Sequence, residues 1–234
     1  MRFHIITIFP DIFDSYLNES IIGRAIKNKK IIIKFYNPRD FVKVKKDKWY
    51  KQVDDRPYGG GPGMVMQIEP ILRAVQFAKS KIKNQKSKIK VILFEVGGKQ
   101  FDNKKAKDLA KDYTDLILIC GRYEGIDARL KKVIKDQRLS VDELSIGPYV
   151  LTGGELAAEV VIDSISRQIP GVLHKTDSIE EKRFGVGVPS YTRPESFKLK
   201  RKIYKVPKIL LSGHQAKIEE WKRKQVASKS SKSR

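Results

Sequence analysis

One cysteine, Cys120, stands in 234 residues. It can form no internal disulfide and seeds no cysteine-rich metal cluster, which suits a reducing compartment, so we expect a cytoplasmic protein. Histidine is scarce as well: His4, His174 and His214 share no metal-ligand spacing, and we expect no metal ligands. No uncharged apolar run approaches the roughly 18 residues of a membrane span. The apolar stretch from Phe3 to Phe9 stops at Pro10-Asp11 and does not read as a secretion signal. GxxxxGK[ST], GxSxG and a GxGxxG opening a helix after a strand are all missing. ATP hydrolysis, a serine nucleophile elbow and standard dinucleotide binding lose support accordingly.

Acidic residues are also short, with 27 Asp and Glu against 49 Lys and Arg, a net charge of +22. The excess is uneven. Lys182 to Arg234 carries 16 basic residues against Glu195, Glu219 and Glu220, and Lys198 to Lys208 has six cations and no acid. Tyr191, Phe197, Tyr204 and Trp221 lie among these cations, the mixture that base stacking and phosphate contacts require. No apolar face is large enough to favour a membrane surface. We therefore expect a nucleic-acid-facing appendage on a more balanced core, whose 40% hydrophobic content suffices for packing.

The pattern predicts strands over Phe3–Phe9, Lys30–Tyr36, Lys90–Glu95, Asp115–Cys120 and, weakly, Arg138–Leu144. Helices are predicted over a short segment capped by Asp11, over Glu19–Lys27, from Pro70 to about Ala78, and from an Asp102 cap to about Asp112. Further helices are predicted from about Ile126, over Gly154–Gln168 and from His214 to about Ala227. In the Gly154 helix, Leu156, Ala157, Val160, Val161 and Ile165 read as one apolar side. Strand alternating with helix predicts an α/β fold with a mostly parallel sheet. Residues 1–172 form the expected core domain, 173–187 a flexible linker, 188–225 a small basic domain and 226–234 a disordered tail. Three strands run into glycine turns: Gly97-Gly98, Gly121, and Gly147 with Gly153-Gly154. A fourth glycine segment spans Gly59 to Gly63. Glycine turns beyond the carboxyl ends of parallel strands suit a nucleotide-like ligand held by backbone groups.

Five strings are more specific: DDRPYGGGPGM from Asp54, CGRYEGID from Cys120, SIGPYVLTGGEL from Ser145, DSISR from Asp163 and YTRPE from Tyr191. With Ile8-Phe9-Pro10 and Leu211-Ser212-Gly213-His214, they resemble the bacterial tRNA (guanine-N1)-methyltransferase family, the TrmD type of the SPOUT superfamily. The resemblance covers residues 1 to about 225. It implies a SPOUT-type parallel sheet with a deep trefoil knot and a small mainly helical C-terminal domain. It also implies a homodimer with the active site at the subunit interface. The implied reaction moves the methyl group of S-adenosyl-L-methionine (AdoMet) to N1 of the guanosine 3′ of the tRNA anticodon, position 37. A magnesium requirement (Mg2+) is implied too.

Carried over residue by residue, cofactor contacts fall on Gly121, Tyr123, Glu124, Ser145, Ile146, Gly147, Pro148, Tyr149, Val150, Leu151, Gly153 and Gly154. Leu93 and Glu95 follow on the neighbouring strand. Glu124 would meet the amino group of the methionine end. Arg167 would stabilise charge on guanine O6. Substrate contacts are expected at Asp54, Gly60, Gly61, Arg193, Lys200 and Arg201.

Three positions depart from the family pattern. The aspartate expected as general base falls on Lys182, a poor base unless its pKa is strongly depressed. Glu181 is our candidate instead, ahead of Glu180 and Asp177. The usual Ser-Pro pair is Glu95-Val96, and Pro148 replaces an aspartate and removes a backbone N–H. These departures motivate an alternative, a catalytically silent or differently targeted SPOUT-fold RNA-binding protein.

Overall fold

The computed structural model describes residues 1–43, 50–173 and 187–230. The chain divides into two compact units, Met1–Leu173 and His174–Arg234.

In the first unit five strands form one sheet: β1 (Arg2–Ile6), β2 (Ile32–Tyr36), β5 (Ile89–Gln100), β6 (Asp115–Ile119) and β7 (Ser140–Ser145). Their order is β2-β1-β6-β5-β7, and every pairing is parallel. Two short strands, β3 (Asp54–Asp55) and β4 (Val65–Met66), pair antiparallel on either side of the Gly59–Gly63 segment. The helices are α1 (Asp14–Leu17), α2 (Ser20–Lys27), α3 (Ile68–Ser80), α4 (Asn103–Asp112), α5 (Arg129–Asp136) and α6 (Glu155–Ser166).

Strand β6 is buried along its whole length, as a central parallel strand must be. Leu116 and Leu118 pack into a core with Phe13, Ile22, Leu109, Val161 and Ile165, the face covered by α1, α2, α4 and α6. Ile117 and Ile119 point the other way, to Ile71, Val75, Leu130 and Ile134 of α3 and α5. The period of two thus gives one strand two cores and the sheet a helical layer on each side. At the amino end of the sheet the buried Asp115 accepts from Arg2 Nε at 2.6 Å and from the Thr114 hydroxyl at 2.8 Å. His4 Nε2 stands 3.1 Å from the same carboxylate, and His4 Nδ1 stands 3.0 Å from the Tyr36 hydroxyl. Both contacts are satisfied by a neutral imidazole that donates to Asp115 and accepts from Tyr36. His4 is therefore structural.

Several expected elements shift. Asp102 caps α4, accepting from the Lys105 N–H at 2.7 Å. Asp11 caps nothing: Pro10–Phe13 is a 3-10 turn without a side-chain cap, because proline at its start leaves one fewer donor to satisfy. Strand β5 continues past Glu95 to Gln100, with a break in register between Phe94 and Lys99. Gly97-Gly98 thus lies inside an irregular strand instead of in a turn after it. A Cβ on Gly98 would stand 2.8 Å from the Glu143 backbone, so the strands approach too closely for a side chain there. Helix α6 buries Ala157, Val161 and Ile165 but leaves Leu156 and Val160, 54% and 48% exposed, on a second face. The expected single apolar side is really two.

The second unit contains the antiparallel ribbon β8 (Ser196–Leu199) and β9 (Lys202–Lys205), then α7 (Lys208–Leu211) and α8 (Gln215–Ser230). Helix α8 covers residues 226–230, which we had expected in the tail.

Candidate functional site

The carboxyl ends of β5, β6 and β7 open into a cleft of about 180 Å³ that is continuous with solvent. Its apolar lining comes from Phe94, Val96, Ile126, Leu144, Ile146, Leu151 and Ala157, and its polar lining from Glu95, Arg122, Glu124, Ser145 and Thr152. Backbone approaches closely because the loops carry glycine where nothing larger fits. A Cβ on Gly154 would lie 2.8 Å from Cys120 Cα, and one on Gly147 would run into the Tyr149 ring. The Gly154 N–H donates to the Gly121 carbonyl at 2.9 Å, tying the loop after β6 to the loop before α6.

A buried carboxylate braces both loops. Glu155, the first residue of α6, is 1% exposed. Its Oε1 accepts from the Thr7 hydroxyl at 2.8 Å, and its Oε2 lies 2.9 Å from Arg122 Nε. The Arg122 guanidinium sits 4.8 Å from the centre of the Phe9 ring, and its Nη1 donates to the Thr152 carbonyl at 3.4 Å. Chain segments after β1, after β6 and before α6 therefore meet at one ion pair.

Glu124 reaches the cleft through a tight turn in which Tyr123 (φ 60°) and Gly125 (φ 116°) both take positive φ. The turn is stitched to β4: the Glu124 N–H donates to the Met64 carbonyl and the Met66 N–H to the Gly125 carbonyl, each at 2.9 Å. This brings the Gly59–Gly63 loop alongside. A Cβ on Gly63 would lie 2.5 Å from the Glu124 side chain. On the cleft margin, partial desolvation and the nearby Glu143 charge hold the Glu95 carboxyl above its ordinary range. Burial, with the Glu155 charge behind it, pushes the Cys120 thiol well up, so Cys120 stays protonated and is no nucleophile.

Of the expected cofactor contacts, Gly121, Tyr123, Glu124, Ser145, Ile146, Gly147, Tyr149, Leu151, Gly153, Gly154 and Glu95 line this one cleft. Leu93 does not: it is buried in the core under α3 and α5 and touches only an adjoining hollow lined also by Gly97, Gly98, Lys131 and Glu143. Pro148 and Val150 are not among the lining residues either, and Val150 turns outward, 83% exposed. The sequence reading missed Arg122 and the buried Glu155. An acidic residue opening a helix ordinarily reads as an exposed partner of the helix dipole.

Asp54 lies in β3 opposite Met66, and Gly60 and Gly61 stand in open space nearby. Arg167 caps the far end of α6, at about 1.5 Å of rise per residue some 18 Å from the end that meets the cleft. Lys200 and Arg201 form the tip of the β8–β9 ribbon and Arg193 precedes it, all in the second unit. Glu181, Asp177, Glu180, Lys182 and His174 lie outside the described residues. Among the described residues no three His, Cys, Asp or Glu side chains come together to hold a metal ion. No described helix is long and apolar enough to cross a membrane.

A family model described as tRNA (Guanine-1)-methyltransferase TrmD matches residues 1–234. The chain is 49% identical over 226 residues to the tRNA (guanine-N(1)-)-methyltransferase of Buchnera aphidicola subsp. Acyrthosiphon pisum, covering 95% of this chain and 88% of that protein. It is 46% identical over 230 residues to the protein of the same name from Clostridioides difficile, covering 96% and 92%. The Geobacter sulfurreducens protein of that name is 44% identical over 226 residues, covering 95% and 85%.

Proposed function

The chain belongs to the tRNA (guanine-1)-methyltransferase TrmD family, and from that premise we propose that it methylates N1 of the guanosine 3′ of the tRNA anticodon, position 37. It is a tRNA (guanine-N1)-methyltransferase, an enzyme acting on tRNA. A silent binder is disfavoured by identity of this depth over nearly the whole chain. The observation that carries the reading is the single cleft assembled from the Gly121, Ile146–Leu151 and Gly153-Gly154 loops.

The lining suits S-adenosylmethionine, which supplies the methyl group when bound. Apolar side chains and close backbone accommodate a flat nucleoside base. Glu95 and Glu124 offer negative charge to a ligand that carries a sulfonium and an amino group. Three loops meeting at Glu155 and Arg122 hold that shape before any ligand arrives. Guanine N1 bears a proton near neutral pH, so a base must take it as the methyl group arrives. We assign that task to Glu181, with Asp177 behind it, and the stabilisation of charge on O6 to Arg167.

Arg167 stands about 18 Å along α6 from its own cleft, too far to act there. We therefore infer a homodimer in which Arg167 of one copy serves the cleft of the other. The outward apolar face of α6, Leu156 and Val160, supports this, together with the exposed Phe9, Ile12 and Tyr16. The Tyr16 hydroxyl donates to Asp163 of α6 at 2.5 Å, so these residues adjoin. The deep trefoil knot belongs to the same reading, supported by the close stitching of the loops after β6 and β7, and so does a cytoplasmic location.

The test is methyl transfer from AdoMet to an unmodified tRNA transcript, read by nucleoside mass spectrometry. We expect 1-methylguanosine at position 37; methylation elsewhere, or none with AdoMet bound, refutes the assignment. Glu181→Gln should abolish turnover and leave AdoMet binding intact by calorimetry. Mixing inactive Glu124→Gln and Arg167→Ala chains should restore about a quarter of wild-type activity, because half the dimers are mixed and each has one complete site.

A further inference from the structure

We propose that the β8–β9 ribbon is a stacking platform for an unpaired RNA base, with Phe197 and Tyr204 as its rings. The proposal rests on the tRNA-methyltransferase reading and adds a recognition element to it. In the ribbon Phe197 pairs directly with Tyr204, and Leu199 with Lys202. Cross-strand partners share a face, so the two aromatics stand side by side with Leu199 and Lys202. Lys198, Ile203 and Lys205 take the opposite face.

Every residue of both strands is exposed. Phe197 and Tyr204 are 57% and 53% exposed, and Leu199 and Ile203 are more than half exposed as well. A two-stranded ribbon of this kind is marginal in isolation, and so much bare apolar surface marks a docking site.

Charge identifies the occupant. Lys198, Lys200, Arg201, Lys202 and Lys205 lie on the ribbon, and no acid occurs from Ser196 to Ile218. The partner is a polyanion that also offers flat apolar surface. A membrane would require the cations and apolar groups to segregate onto opposite faces. Here lysines stand on both faces, beside the aromatics on one of them. Single-stranded RNA fits instead: an unpaired base stacks on the rings while phosphates meet the cations around them.

The experiment measures binding of a labelled tRNA transcript to the full chain by fluorescence anisotropy across a salt series. Phe197→Leu and Tyr204→Leu keep apolar bulk and remove the ring, so the fold is spared, which unchanged circular-dichroism spectra and urea midpoints of the full chain verify. Each should weaken tRNA binding by about five- to a hundredfold, with the log–log salt slope unmoved. Lys200→Gln should instead flatten that slope by roughly 0.7–0.9. The leucine variants should also lose the wild-type preference for tRNA over a fully paired RNA duplex.

Leucine variants that bind tRNA like the wild type, while Lys200→Gln does not, would reduce the ribbon to a phosphate contact and overturn the platform. Retained tRNA affinity with lost binding to anionic phospholipid vesicles would assign the ribbon to a membrane and overturn it likewise. A wild-type chain that ignores tRNA altogether would refute the underlying reading, a result distinct from either.

Discussion

Glu155 and Arg122 illustrate how one buried pair can set the shape of a ligand cleft. Removing the cation alone strands a carboxylate in a site 1% exposed. We expect Arg122→Met to cost about 3–5 kcal/mol in urea denaturation, and the Arg122→Met/Glu155→Gln double variant to recover much of that loss. Equal losses in single and double variants would show that the pair is not coupled. His4 acts on stability through protons. Burial, opposed by Asp115, lowers its pKa below the ordinary 6.5. The unfolded chain therefore binds more protons as the pH falls past that value, and the folded state loses stability. Burial of Asp115 is outweighed by its hydrogen bonds from Arg2, His4 and Thr114, which hold its carboxyl well below the ordinary 3.8. Its contribution is present above 3.8 and is lost in stronger acid. Urea midpoints measured from pH 7.5 to 5 should decline, and His4→Gln should flatten that decline.

Helix α6 joins these residue effects to assembly. Its inward positions Ala158, Val161, Ile162 and Ile165 recur at helical spacing and fix it on the sheet. Its outward Leu156 and Val160 have no such cover within the chain's described residues. A charge introduced outward should spare the fold and break the proposed dimer. Val160→Glu is expected to sediment as a monomer, to keep its melting temperature within a few degrees and to lose methyl transfer. A dimer that survives this change would place the interface elsewhere. Loop geometry is less forgiving at the other end of the helix. At Gly154 an added methyl meets the Cys120 and Gly121 backbone, which cannot swing aside as a side chain can. Gly154→Ala should abolish AdoMet binding by calorimetry, whereas Gly97→Ala, with nothing within 4 Å and no positive φ, should leave it intact.

Across the whole molecule, the net charge of +22 is the dominant long-range feature. It should draw tRNA in at low salt and make binding steeply salt-dependent, with each neutralised phosphate adding about −0.7 to −0.9 to the slope. A shallow slope would mean that the cations are surface solvation and not a binding face. Against this positive background, Glu95 and Glu124 on the cleft are local exceptions. Such exceptions suit a cationic cofactor inside a polyanion-binding enzyme.

Sequence alone determined the parallel α/β class, because strand and helix periods alternate and β6 is apolar from Leu116 to Ile119. Its local glycine signals after β6 and β7 marked Gly121, Gly147, Gly153 and Gly154, which line one cleft, and the family resemblance pointed to the other expected contacts found there. Tertiary structure decided what depends on neighbours distant in the chain. Leu93, Pro148 and Val150 differ from the contacts around them only in which way the folded backbone turns each side chain. Glu155 became a buried brace because the Thr7 hydroxyl and the Arg122 guanidinium, brought in from the segments after β1 and β6, meet its two oxygens. In α6 the outward face carries Leu156 and Val160 beside Glu159 and Asp163, and only the packed sheet decided that these two apolar residues would stay outside the core.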